Sequence, residues 1–594
     1  MNEQIVKRIE RLREAMKDKG IDAYLINGCD PHLGEYVPAR WETREFISGF
    51  TGSYGWLAIT HEEAVLWTDS RYYLQASIEL EGTGIQMLKA RLPETIYIGD
   101  WVAERLQPGQ TVGFDGTCYS IAECKLLERS FNAKELKIEY RFDLLDEIWV
   151  DRPQIPSSKI FLHPVEWAGV SRADKFGKIA KELATIGADI TIITALDDLC
   201  WAFNIRGSDI DFCPVAVGYA IINSEGNASL FVNFNKLSEN IYNELIKEGI
   251  QIYQYNSFYN HFSAIKNQKV LIDPDRTNYS VLNRLQRKNN VVFGISIPAL
   301  LKSRKNKIEV EGMKMASVSD GLALLNFQLW LEKSVGKKRI TEFDVLRKLT
   351  AFRSQMPGSR GDSFYSIVGY KDHGAIVHLH VKEEEANVLK KDGVLLVDSG
   401  GQYDYGTTDI TRTFVLGDVP EQTKIDFTLV LKGMIALSDI RFPKGTIGCH
   451  LDILARRAMW MNHMNYGHGT GHGVGACLMV HEGPQSIRLD LNNQPISLGN
   501  VMSNEPAFYR EGLYGLRTEN MMVCVEDAVT EYGEFYRFET LTMFPIDTRL
   551  IELSLLEKSE IVWINNYHKT VYETLSPLTT PEQLELLVRL TQPI

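Results

Sequence analysis

Apolar residues recur at helical spacing from the start of the chain. Ile5, Ile9, Leu12 and Met16 stand among charges and predict an amphipathic helix from Met1 to about Lys19. Helical segments then alternate with short apolar runs such as Ala64-Val65-Leu66-Trp67 as far as Trp149, an α/β pattern. The stretch Asp151-Arg152-Pro153-Gln154-Ile155-Pro156 predicts a linker, because each proline lacks an N–H and holds the residue before it extended. The style then repeats. A helix over Lys175 to Ile186 precedes the strand-like Ile190-Thr191-Ile192-Ile193, and Ala220-Ile221-Ile222 and Leu230-Phe231-Val232 follow. Helix, strand and hairpin recur in similar order, so two related α/β domains in tandem are expected, the second closing near Ser303 to Lys307. A long helical pattern from Val310 to Ser334 opens the remainder, which turns to strands such as Val394-Leu395-Leu396-Val397 and stays β-rich to about Phe544. The expected domains are 1–153, 154–307 and 308–594, an α+β chain overall.

The totals narrow the classes. At 594 residues the chain is too long for one compact core. An excess of 77 Asp and Glu over 64 Lys and Arg argues against nucleic acid as a partner, since phosphate binding needs a basic surface. No run of eighteen apolar residues occurs, so no membrane span is expected, and the first residues lack the apolar stretch of a secretory signal. The cysteines at 29, 118, 124, 200, 213, 449, 477 and 524 form no C-x-x-C pair, which suits reduced thiols in a cytoplasm.

The chemistry gathers in the last block. An apolar strand ends in Asp398-Ser399-Gly400-Gly401, and Thr407-Thr408-Asp409-Ile410-Thr411-Arg412-Thr413 reads as an alternating strand carrying a second aspartate. Gly400, Gly401 and Gly406 predict a hairpin that aligns the two. Either aspartate alone is ordinarily a turn former. Gly467-His468-Gly469-Thr470-Gly471-His472-Gly473-Val474-Gly475 sets two histidines among glycines, which let backbone approach a metal or substrate closely. The His468/His472 spacing imitates H-E-x-x-H, but the intervening glycines and missing glutamate exclude that helix. Gly471 to Ala476 also fits G-x-G-x-x-A, yet no apolar strand precedes it. Glu505 in Ser503-Asn504-Glu505-Pro506 and Glu519 in Arg517-Thr518-Glu519-Asn520 flank Tyr509-Arg510-Glu511-Gly512, read as a turn between antiparallel strands. Four grouped carboxylates repel and raise one another's pKa values unless divalent ions cancel the charge. Oxygen-rich ligation with one imidazole suits manganese, with cobalt, iron or zinc as alternatives.

Taken in order, these segments resemble the pita-bread metallopeptidases, more narrowly the three-domain cytosolic aminopeptidases P, which act on Xaa-Pro bonds. Trp67-Thr68-Asp69-Ser70-Arg71-Tyr72-Tyr73, Thr194-Ala195-Leu196-Asp197-Asp198, Phe203-Asn204-Ile205-Arg206-Gly207-Ser208-Asp209 and the C-terminal Trp563-Ile564-Asn565-Asn566-Tyr567-His568 extend the resemblance over nearly the whole chain. It implies two creatinase-like α/β domains followed by a pita-bread catalytic domain with a C-terminal extension. It further implies that Asp398 holds one metal and His472 the other, that Asp409 and Glu519 bridge both, and that Glu505 completes the second sphere and serves as general base. A metal-bridging hydroxide would be the nucleophile. His378 would stabilise the tetrahedral intermediate, His468 and His481 would bind substrate, and Arg517 would orient an acidic ligand from outside the metal sphere. Asn504 and Ala507 depart from the Asp and Gly that many relatives carry around Glu-Pro, which touches fine geometry beside Glu505.

The implied activity is release of an N-terminal residue that precedes proline, by a cytoplasmic homodimer. A prolidase acting on dipeptides shares the ligand set, and the additional α/β domain weighs against it. A catalytically dead pita-bread binding module typically loses ligands, whereas all five are present here.

Overall fold

The computed structural model describes residues 2–90 and 92–594. The N-terminal periodicity becomes a helix, Asn2–Lys19, with Ile5, Ile9, Leu12 and Met16 buried; Met1, counted in that expected helix, lies outside the described residues. The chain divides into two units. The first runs to Leu162 and continues over Val170–Asp211 and Val215–Pro298; the second comprises His163–Gly169, Phe212–Pro214 and Ala299–Ile594.

Two six-stranded sheets build the first unit, and they share one topology. In the first sheet the strands are Ala23–Ile26, Trp56–Thr60, Ala64–Thr68, Gln86–Lys89, Thr111–Phe114 and Lys137–Glu139. Their spatial order is fourth, third, second, first, fifth, sixth. The first three pair antiparallel and the remaining neighbours parallel. Ile190–Ile193, Tyr219–Asn223, Ala228–Val232, Gln251–Gln254, Lys269–Ile272 and Asn290–Phe293 form the second sheet in the same order and directions. The likeness that the sequence shows only as style is therefore a structural repeat. The helix expected from Lys175 begins at Arg172, because the Ser171 side chain accepts from the Asp174 N–H and caps it three residues earlier.

In the second unit the long helix spans Lys307–Ser334, started by a capping box of Asn306 and Glu309. It packs with Glu342–Arg353, Lys558–Leu575 and Pro581–Leu590 over a core that includes Phe327, Leu331, Val368, Leu395, Val397, Phe414, Leu431 and Ile564. A three-stranded sheet sets Ile367–Tyr370 and Ile410–Val415 on either side of Val394–Ser399. A six-stranded sheet carries Gly471–Gly473, Glu482–Ile487, Val501–Asn504 and Asn520–Thr530. Two helices, Glu421–Ser438 and Gly448–Trp460, interrupt the tract expected to be continuously β-rich. The first is buried on nearly every side, so it lacks the polar stripe that betrays an amphipathic helix. Among the described residues no helix is long and apolar enough to cross a membrane, and all eight cysteines are free.

Candidate metal centre

Backbone register brings the acidic residues together in two pairs. Strands Val394–Ser399 and Ile410–Val415 pair Asp398 with Thr411 and Ser399 with Ile410. Gln402 pairs with Thr407 in the hairpin beyond, in the same register. One step past Ser399 this register sets Gly400 opposite Asp409, and a Cβ on Gly400 would lie 2.0 Å from the Thr408 carbonyl oxygen. Only glycine allows that approach. Asp409 thus sits in the gap between Gly406–Thr407 and Ile410–Val415, rather than within one alternating strand as the sequence suggests. The second pair is built alike: Asn504 pairs with Asn520 and Ala507 with Arg517, so one register continued from either side sets Glu505 opposite Glu519.

His472 joins them from strand Gly471–Gly473. Its Nδ1 is 2.9 Å from the Gly473 carbonyl oxygen, so a neutral ring with its proton on Nδ1 would offer Nε2 to a metal. Nε2 lies 3.4 Å from Asp409 Oδ2 and 3.4 Å from Glu505 Oε1. One ligand atom from each of Asp409, His472 and Glu519 falls within 4.8 Å of the others. Around them, Thr411 Oγ1 donates to Glu519 Oε2 at 2.8 Å, and Ser503 Oγ donates to Glu505 Oε1 at 3.2 Å. Arg517 Nη2 donates to Asp398 Oδ2 at 2.5 Å, while Asp398 Oδ1 is buried without a hydrogen-bond partner.

The charges do not balance within the protein. Burial, and then the Asp409 charge working against Arg517, raise the Asp398 carboxyl above its usual range. Burial and the Asp409 and Asp398 charges, opposed by His472, push Glu505 up to about 7. Burial followed by Asp409, Asp398 and Glu505 pushes Glu519 well up. Burial disfavours the His472 imidazolium, but Asp409 and Glu505 outweigh it and lift the ring to about 9. The raised carboxyl pKa values mark an excess of negative charge that divalent cations would offset. The orphaned Asp398 oxygen, the converging ligand atoms and the oxygen-rich donor set fit a divalent metal site.

The other expected residues stand around this network. The His481 ring meets His472 edge-on with centroids 4.4 Å apart. His468 Nε2 is 2.8 Å from the Tyr509 hydroxyl, which also accepts from Arg517, so His468 connects through two residues to Asp398. His378 is half-buried on a separate loop, beyond the turn Lys371–Ala375. Tyr509, Thr411 and Ser503 are contributors that the sequence reading omits. The sequence places Tyr509 in a turn, yet it lies in strand Ala507–Arg510, with the turn beyond it at Gly512 (φ +71°). Its signal would have been its place in a strand leading away from a ligand; Ser503 and Thr411 carry a similar one, each two residues from a candidate ligand.

Comparison with known proteins covers the same ground. Residues 8–146 and 151–309 each match a model described as creatinase/prolidase N-terminal domain. Residues 311–526 match metallopeptidase family M24, and 534–594 match the C-terminal region of peptidase M24. Aminopeptidase P2 of Arabidopsis thaliana is 37% identical, covering 94% of this chain and 84% of its own. Xaa-Pro aminopeptidase 1 of Dictyostelium discoideum is 36% identical over 97% of this chain and 94% of its own. The crystal structure of X-prolyl aminopeptidase from Caenorhabditis elegans, described as a cytosolic enzyme with a di-nuclear active site, superposes with a TM-score of 0.95 at 32% identity, covering 99% of this chain and 100% of that one.

Proposed function

This chain belongs to the M24 metallopeptidase family, and from that premise we propose an Xaa-Pro aminopeptidase whose site is built from Asp398, Asp409, His472, Glu505 and Glu519. It hydrolyses the bond between an N-terminal residue and a following proline. The convergence of one imidazole and the carboxylates in a buried pocket with excess negative charge carries the reading. Near-full-length identity to Xaa-Pro aminopeptidases supports the substrate class.

Asp398 would hold one ion and His472 the other, Asp409 and Glu519 would contribute to both, and Glu505 would complete the second set of ligands. Two divalent ions, when bound, supply Lewis acidity and lower the pKa of water at the site. Glu505 takes the proton of the attacking water and relays it to the departing amine. His378 donates to the oxygen on which negative charge develops. His468 and His481 hold the substrate around the scissile bond. Arg517 orients Asp398, a role supported by its 2.5 Å hydrogen bond to Oδ2. Manganese is the ion that this donor set suits best. The cytosolic relative and the family resemblance support a cytoplasmic homodimer, whose assembly sedimentation would read directly.

The test is hydrolysis of Arg-Pro-Pro and Gly-Pro by chelator-treated protein before and after Mn²⁺ is added. Metal-dependent release of arginine, with Gly-Pro cut poorly, is expected. Cleavage of the dipeptide alone would move the reading to a prolidase.

A further inference from the structure

His378 stands on a stretch that has no helix or strand from Ile376 to Gly393. Loops of this length inside a folded unit are ordinarily functional, and they need tethers to hold one conformation. The tether here is a single buried carboxylate outside the metal site. Glu342, the first residue of helix Glu342–Arg353, is fully buried. Its Oε1 accepts the Tyr370 backbone N–H at 2.7 Å, just before the loop begins. Its Oε2 accepts the Asn387 backbone N–H at 2.7 Å, where the loop returns. The His373 Nδ1 lies 2.9 Å from the same oxygen, and this hydrogen bond raises the His373 pKa against the effect of burial. Backbone bonds from Glu342 N to Asn387 O and from Leu389 N to Ile340 O close the returning side.

Two further contacts carry this anchoring inward. Tyr365 donates from its hydroxyl to the Val381 carbonyl at 2.8 Å and stacks on His380 with ring centroids 4.3 Å apart. At the loop base, Gly374 packs backbone to backbone on strand Tyr514–Arg517: a Cβ on Gly515 would lie 1.7 Å from the Gly374 carbonyl oxygen. The loop base is thereby fixed against the strand that ends in Arg517.

We propose that Glu342 is a positioning residue for the reaction, its carboxylate setting where His378 stands by binding both ends of the 371–387 loop. The proposal rests on the assignment of His378 as the group that stabilises the tetrahedral intermediate. Glu342 itself touches neither substrate nor metal ligand in this role; it acts through the loop.

A double-mutant cycle on the metal-loaded, full-length protein tests it, with wild type, E342Q, H378A and H378A/E342Q assayed on Arg-Pro-Pro. Glutamine keeps the volume of Glu342, but its amide nitrogen cannot accept the second backbone N–H. E342Q is expected to lower kcat by about 10- to 100-fold, the scale of a misplaced group, with KM and bound metal little changed. The double variant is expected to be no slower than H378A alone. Hydrogen exchange should rise over 376–388 in E342Q and stay as in wild type over Val394–Ser399. Should E342Q fail to fold, H373A removes one tie and leaves both backbone ties, and its smaller loss should also vanish in the H378A background. Unchanged kcat in the Glu342 or His373 variant, or a loss that persists in full without His378, would overturn the proposal. Full activity in H378A alone would instead remove the His378 assignment on which it rests, and that outcome is visible in the single variant.

Discussion

The two units share one way of handling buried carboxylates, and a single cluster in the second unit departs from it. In the first, Asp209 is fully buried against Lys236, which is equally buried, and it also accepts the backbone N–H groups of Ser158 and Val217. Asp197 and Asp198 share Arg276, and Asp198 accepts from the Ser296 hydroxyl as well. Each of these three negative charges meets a positive one on the same chain. The second unit uses the same device for most of its acids: Asp320 with Arg353, Asp452 with Arg456, and Glu482 with Lys302 and Lys305. At one place it does not. Asp398, Asp409, Glu505 and Glu519 converge on His472 and the Arg517 guanidinium, and burial and the neighbouring negative charges raise the pKa values of Asp398, Glu505 and Glu519. A buried acid with its own cation holds a fold together, whereas a group of them short of cations is a site that recruits cations from solution.

The largest effect expected of this contrast is at the residues assigned as bridges. D409A and E519A should each abolish turnover of Arg-Pro-Pro at saturating Mn²⁺, exceeding the ~10–100-fold cost typical of an outer hydrogen-bond partner. Near-normal kcat in either variant would break the two-metal argument. The matching test in the first unit is K236M, which strands Asp209 without its cation. Stability measured by denaturant titration should fall by about 3–5 kcal/mol, while metal stoichiometry of the folded protein stays at the wild-type value. Altered stoichiometry would mean that the two classes of buried acid are not separable.

A pH experiment sharpens the same point on the site itself. Glu505 has a folded-state pKa of about 7 against 4.5 when exposed. Folding therefore favours its protonated form: the contribution is whole below about pH 4.5 and is lost as pH rises through 7. Without metal, E505Q should match wild type in Tm near pH 4.5 and become the more stable of the two as pH rises past 7. With Mn²⁺ present the order should reverse, because the wild type alone then keeps its full ligand set. A Tm difference independent of pH in the metal-free proteins would show that Glu505 carries no such strain.

What the sequence discloses follows from which interactions are local. Asp398 and Asp409 are legible because glycines mark the hairpin between them, and Glu505 and Glu519 because a second hairpin repeats the arrangement. The tandem sheets show through as recurring apolar runs, although their shared strand order needs long-range pairing that no local pattern records. Helix Glu421–Ser438 stays hidden since burial on almost every side erases its periodicity. Glu342 is hidden for another reason. The N–H groups it binds belong to Tyr370 and Asn387, distant in sequence and unremarkable in type, so only the folded chain shows a carboxylate among them.

The smallest effect expected is at Tyr509, which links the two kinds of residue in the site. Its hydroxyl takes a hydrogen bond from Arg517 and meets His468 Nε2 at 2.8 Å. Arg517 keeps its bonds to Asp398 and to Thr411 when that hydroxyl is removed, so the metal ligands stay oriented. His468 loses its Nε2 hydrogen bond to that hydroxyl, while Nδ1 stays 2.7 Å from the Gly469 carbonyl oxygen. Y509F should therefore bind metal as wild type does and raise KM for Arg-Pro-Pro by about tenfold, the scale of one hydrogen bond in a charged network. Loss of metal instead would place Tyr509 among the groups that hold Asp398, and the division between ligand support and substrate support would have to be redrawn along Arg517.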